Sequence, residues 1–141
     1  MLYSVLYGAS GHATPETFSK MTAKHRPTDI KLHQKSHKLE LTFDDGSRFE
    51  LPCEYLRVYS PSAEVRGHGP GQEVLQLGKE NVNITAIEPV GAYAVALHFD
   101  DGHNTGIYSW EWLYELGNNQ QQLWKEYLDR LAKAGHPRKS A

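Results

Sequence analysis

The chain has 141 residues, of which 39% are hydrophobic and 23% charged, and a formal charge of −2. That length suits one globular domain, large enough to bury roughly two-thirds of its unfolded surface without staples. The near-neutral balance gives no electrostatic reason to bind nucleic acid or an anionic membrane surface, and a single cysteine, Cys53, excludes an internal disulfide or a cysteine-built zinc cluster within one chain.

The opening MLYSVLYGASGHATPETFSK has neither the basic start nor the long apolar run of a secretory signal. No stretch approaches the roughly 20 apolar residues of a membrane span, and the lone cysteine fits a reducing compartment, so a cytoplasmic location is expected. Gly, Ala, Ser, Thr and Pro dominate from Gly8 to Thr17 and leave little to bury, and Met21 stands just before the first patterned segment. Residues 1–25 are therefore expected to be a disordered tail or a misassigned start.

From Arg26 onwards the chain repeats itself. The tetrapeptide FDDG occurs at Phe43–Gly46 and again at Phe99–Gly102. Each copy follows an alternating run, Leu39, Leu41, Phe43 in one and Val95, Leu97, Phe99 in the other, and alternation at period two marks a half-buried strand. Asp-Gly between two such runs is a hairpin signal, because glycine takes the positive φ and aspartate accepts local backbone hydrogen bonds. Each copy also has an upstream strand (DIKLHQ from Asp29, NITAIEPV from Asn83) and ends in Glu, an aromatic and Leu: Glu54-Tyr55-Leu56 and Glu111-Trp112-Leu113. The unit is a three-stranded meander followed by a short helix, present twice.

Pro52 is placed for the first position of helix one. In helix two, Ser109 is the expected N-cap and Gly117 the expected end. The stretch NNQQQLWKEYLDRLAKAG gathers Leu123, Trp124, Tyr127, Leu128 and Leu131 on one face of a third helix, ended by Gly135 and Pro137. The expected fold is α+β: a two-layer sandwich with an antiparallel sheet built from two meander-plus-helix units, residues 26–117. A C-terminal amphipathic helix (118–135) packs on that domain, and a frayed basic tail (136–141) follows.

A calcium loop starting at Asp100 would place Glu111 twelfth, but Gly102 and Thr105 stand where a ligand and the glycine belong, so the FDDG repeats read as architecture. His98-Phe99-Asp100 has the spacing of a non-haem iron facial triad, but too little chain remains for an oxygenase core. The loop Gly67–Glu80 has six residues between Gly71 and Gly78 and Glu80 after Lys79, against the four residues and the Ser or Thr of a Walker loop. His12, His25, His33, His37 and His136 sit in tails, loops or strand ends and read as solvated. His68, His103 and Cys53 form the candidate metal trio, for iron or zinc. Trp110, Trp112 and Trp124 read as core, with one of them available to border a partner surface. No Ser lies in a nucleophile elbow and Cys53 has no patterned His partner, so the sequence makes no positive case for catalysis.

Taken together, LPCEYLRVYSPSAEVRGHG and FDDGHNTGIYSWEWLYEL, in that order, resemble the gamma-butyrobetaine hydroxylase-like N-terminal domain family, in its free-standing bacterial form, over Arg26 to Gly117. The resemblance implies a small two-layer domain found in front of carnitine-pathway hydroxylases, joined to Mrp-type iron–sulfur carriers, or alone. Hydroxylase activity is not expected, because the oxygenase domain is missing. In the hydroxylases three clustered cysteines after a Leu-Arg pair and a later histidine hold zinc. The pair matches Leu56-Arg57 and the histidine His103, but the cysteines fall near Ser60, Ser62 and Val65, so that zinc site is not expected. The resemblance favours a protein-interaction or accessory role connected with iron–sulfur or metalloprotein maturation, with an iron–sulfur carrier among the candidate partners. The expected partner surface is Arg57, Ser60, Ser62, Glu64, Arg66 and His103. The alternative is a metal-binding protein or small metalloenzyme using His103 with His68 or Cys53.

Overall fold

The computed structural model describes the backbone of Leu2–Val5 together with residues 25–67, 69 and 71–138. Eleven elements follow in order: β1 (Leu2–Val5), β2 (Pro27–His33), β3 (Lys38–Phe43), β4 (Arg48–Pro52), α1 (Cys53–Val58), α2 (Ala63–Arg66), β5 (Ile84–Val90), β6 (Ala94–Phe99), β7 (Ile107–Ser109), α3 (Trp110–Asn118) and α4 (Gln120–Lys133). The fold is the expected α+β one. The two meanders form separate antiparallel sheets, β1-β2-β3-β4 and β5-β6-β7. Residues 1–25 were expected as a loose tail, yet Leu2–Val5 pairs antiparallel with β2. Residues 6–24, including His12, lie outside the described residues.

Alternation fixes the register. Ile30 faces Leu41 and Leu32 faces Leu39 across β2 and β3; all four are fully buried. A one-residue slip would turn that whole set to solvent. The second sheet repeats the scheme with Ile84 opposite Phe99 and Ile87 opposite Leu97. Both FDDG segments are hairpin turns, with Gly46 at φ 88 and Gly102 at φ 90. The second aspartate of each accepts from the backbone two residues on, Asp45 from Ser47 at 2.8 Å and Asp101 from His103 at 3.1 Å.

The two units pack reciprocally. Aligning Glu54-Tyr55-Leu56 with Glu111-Trp112-Leu113 pairs Arg57 with Tyr114 and Tyr59 with Leu116. Tyr55 donates its hydroxyl to the Leu116 carbonyl at 2.7 Å, and Trp112 donates its indole N–H to the Tyr59 carbonyl at 3.0 Å. Asp45 in the first turn accepts from Tyr114 of α3 at 2.7 Å, while Asp101 in the second accepts from Arg57 of α1 at 2.8 Å. Each turn thus holds the helix of the other unit, so the repeat is built into the interface as well as the chain.

Two helix boundaries differ from expectation. Pro52 closes β4 and caps α1 rather than opening it. Gly117 does not end α3, which runs on to Asn118. A methyl group at Gly117 would collide with the ring of Phe49, so this glycine admits a neighbour. Ser109 does cap α3, accepting from Trp112 N at 3.0 Å. In the expected frayed tail, Arg138 reaches Glu54 with Nη2 at 2.8 Å from Oε1 and Nε at 3.0 Å from Oε2. Residues 139–141 lie outside the described set.

Candidate docking site

The segment after α1 carries most of the expected site residues. Arg57, Ser60, Ser62 and His103 were expected to face a partner; all four are buried. Their places follow from polar groups that must be satisfied once taken out of water. Arg57 gives its Nε to Asp101 at 2.8 Å, and Lys79 reaches the same oxygen at 2.7 Å. Burial alone would raise the Asp101 carboxyl, but bonds from Lys79, the His103 N–H and Arg57 outweigh it and hold the pKa at about 2.

His103 lies between two partners, with Nε2 2.9 Å from Ser60 Oγ and Nδ1 3.3 Å from Glu64 Oε2. A carboxylate only accepts, so Nδ1 carries the proton and Nε2 accepts from the serine hydroxyl. Burial, and then the nearby Arg57 charge, push the His103 pKa down against the opposing pull of Glu64, so the ring is neutral at neutral pH. Ser60 Oγ accepts in turn from Ser62 N at 3.2 Å, and Ser62 Oγ meets Thr105 Oγ1 at 2.7 Å.

The order Ser–His–Glu is that of an acyl-transfer triad. Ser60, however, is only 1% exposed, and its hydroxyl is committed to His103 and the Ser62 N–H. This array fastens the α1–α2 loop to the second hairpin. Gly106 makes it possible: the position matches Phe49 in the first unit, and its missing side chain leaves room for Ser60 and His103.

The zinc ligands that the resemblance to the hydroxylases implies would fall near Ser60, Ser62 and Val65 and at His103. Two neutral hydroxyls already committed to hydrogen bonds and a buried valine do not replace three thiolates, so the residues present do not fit that zinc site. The candidate trio meets a similar obstacle. Cys53 is fully buried, 3.6 Å from Asn83 Oδ1, and burial, with the Asp100 charge adding to it, pushes its thiol up to about 11, so that without a bound cation it is a neutral thiol. Both ring nitrogens of His103 face partners, and His68 lies outside the described residues. Among the described residues no group of three or more His, Cys, Asp or Glu side chains is arranged to hold a metal ion.

Other histidines expected in solvent have partners. His25 stacks on Tyr114 with centroids 3.5 Å apart and sits 3.2 Å from Glu111. His33 lies 2.9 Å from Glu40, and His37 3.1 Å from the Val82 carbonyl. His98 sits against Glu88 rather than aiming with Asp100 at a shared point.

Beside the buried array lies an open cleft of about 530 Å³ whose lining includes the expected Ser60 and Arg66, while its apolar walls were not named from the sequence. Val58 from α1, Tyr59 at its C-cap, Val65 from α2, Val74 from the long loop and Trp112 from α3 make its apolar surface. Arg66 lies over the Trp112 ring at 4.9 Å and Arg130 near the Tyr59 ring at 5.8 Å. The walls are fixed by backbone: Val74 N donates to the Val65 carbonyl at 2.8 Å, and Gly67, at φ 74, lies so close to the Gln72 carbonyl that a side chain would collide with it. Glu64 and Arg66 are the two expected partner residues whose side chains are exposed. The hint available in sequence was the set of three tryptophans, one of which, unspecified, was expected to border a surface.

A two-layer α+β domain of paired meander-helix units, with a pinned loop and an open aromatic cleft, is the class that fold and site define. The chain belongs to the family described as gamma-butyrobetaine hydroxylase-like, N-terminal, whose model matches residues 30–114. Two proteins with NMR solution structures are similar to it. One is 54% identical with a TM-score of 0.72, covering 89% of this chain and 90% of that one. The other is 46% identical with a TM-score of 0.72, covering 84% and 95%. A crystal structure from Acidithiobacillus ferrooxidans ATCC 23270 is also similar, at 41% identity and a TM-score of 0.55 over 64% of this chain and 91% of that one; it is described as a protein of unknown function in the DUF971 family. No match is found among curated proteins. Among the described residues no helix is long and apolar enough to cross a membrane.

Proposed function

We propose that this chain is a non-catalytic accessory domain that docks on a protein partner through the cleft between Val58, Val74 and Trp112, in iron–sulfur or other metalloprotein maturation. The observation that carries the reading is the cleft itself: an aromatic and aliphatic surface left open, with walls fixed by backbone hydrogen bonds and a buried polar array behind it. Preformed apolar surface with arginine at its edge is what protein interfaces concentrate their binding energy on. The connection with maturation rests on the family's association with iron–sulfur carriers. Val74 is 52% exposed, so a charge there spares the fold while spoiling the apolar surface. Affinity recovery with isotope-labelled comparison of the full chain and Val74→Arg is expected to lose a specific, identifiable partner. The same set of proteins recovered at the same ratios by both would overturn the reading.

A further inference from the structure

Pseudo-symmetry and charge together indicate what the cleft takes. Tyr55 is the symmetry mate of Trp112, and the two make reciprocal bonds to the opposite helix. Their outer faces are treated differently. Tyr55 is 1% exposed and is covered edge-on by Trp124 of α4, with centroids 6.2 Å apart. Leu123 and Trp124 pack there against the core. Among the described residues Trp112 has no helix packed over it: the Arg66 guanidinium alone lies over its ring, and the indole lines the cleft. The molecule thus displays in one half the kind of segment, a helix presenting leucine and tryptophan, that covers this face, and leaves the other half open. The open half also differs in charge. Arg66 and Arg130 both border it, and among the described residues neither is ion-paired with a carboxylate. Glu73 is the one carboxylate residue in the lining.

We propose that the cleft binds an acidic segment of a partner protein, in which a leucine or aromatic anchor enters between Val58, Val74 and Trp112 while flanking carboxylates meet Arg66 and Arg130. This inference rests on the docking reading above. The volume falls within the roughly 300–1,000 Å³ of binding clefts, enough for one anchor and its neighbours. A guanidinium takes a carboxylate through two parallel donors, and Arg66 keeps such donors over the indole face.

The test is fluorescence anisotropy of a labelled peptide with a leucine–tryptophan pair between aspartates and glutamates, titrated with the full chain. Its amide isostere, with asparagines and glutamines, and a lysine-flanked version serve as probes of charge. Saturable binding of the acidic peptide is expected, with affinity falling about ten-fold for the isostere and about ten-fold for Arg66→Gln with Arg130→Gln. Binding should also weaken as salt is raised, and Val74→Asp, which removes apolar surface and adds a charge that repels the peptide's carboxylates, should lose it. Equal affinity for acidic and amide peptides, or preference for the lysine version, overturns the inference. If Val74→Arg loses its partner in recovery while none of the peptides binds, the acidic-anchor inference fails and the docking reading stands. If recovery is unchanged, the docking reading fails.

Discussion

The bond between Arg57 and Asp101 joins α1 of the first unit to the hairpin of the second, and replacing Asp101 by asparagine tests how much the fold depends on it. Arg57 is 7% exposed, so its guanidinium depends on Asp101 for compensation. Removing one member of a buried pair costs about 3–5 kcal/mol, because a charge is left without a partner. The Asp101 side chain is itself 21% open to solvent and the amide keeps one acceptor, so the expected cost is lower, about 2–3 kcal/mol. Arg57→Met leaves Asp101 with Lys79 and the His103 N–H, and should cost about 1–2 kcal/mol. In the double variant the buried guanidinium is gone and only the more open Lys79 loses its carboxylate, so its cost should fall short of the sum of the single costs by about 1–2 kcal/mol. Urea unfolding followed by tryptophan fluorescence, with unchanged m, gives all four corners of the cycle. A cost below about 0.5 kcal/mol for Asp101→Asn, or additivity within about 0.5 kcal/mol, would refute the reasoning.

Gly117→Ala gains about 1 kcal/mol of helix propensity but meets the Phe49 ring at an overpacking cost of about 1–3 kcal/mol. Net destabilisation of about 1 kcal/mol is expected, relieved by Phe49→Leu, whereas a stabilised Gly117→Ala would contradict the packing role. Both His103 and Asp101 have folded pKa values below their ordinary ones, 6.5 and 3.8, so each contributes stability above the ordinary value and loses it as pH falls. Thermal melts should show stability declining below about 6.5 and again between 3.8 and about 2, with Asp101→Asn flattening the lower part. Gly67→Ala places a side chain at φ 74 against the Gln72 carbonyl and should cost at least about 1–2 kcal/mol. Hydrogen exchange should then show the Val74 amide losing its protection, while the β3 amides keep theirs.

The strands were legible because alternation and Asp-Gly turns are local signals, and their duplication made each copy support the other. Gly117 was misread because a helix glycine looks the same whether it ends the helix or admits a ring, and Phe49 lies far away in sequence. The burial of Arg57 and His103 was hidden for the same reason. An arginine after a Leu reads as surface until Asp101 is seen beneath it, and a hairpin histidine reads as a metal ligand or a partner contact until Ser60 and Glu64 close on it. The edge strand Leu2–Val5 was masked by the polar, glycine-rich stretch after it. The cleft had no local signature, since Val58, Val74 and Trp112 belong to three separate segments and meet only because the two units pack reciprocally.

Docking at this cleft is tested most directly by a photoreactive amino acid placed at Val74 in the full chain and illuminated in the cell of origin, beside the same residue at Glu50 on the remote face of β4. The docking reading predicts one dominant adduct from position 74, identifiable by mass spectrometry, absent from position 50 and reduced by Arg66→Gln with Arg130→Gln. The same adducts from both positions, or none from position 74 in folded protein, would contradict it.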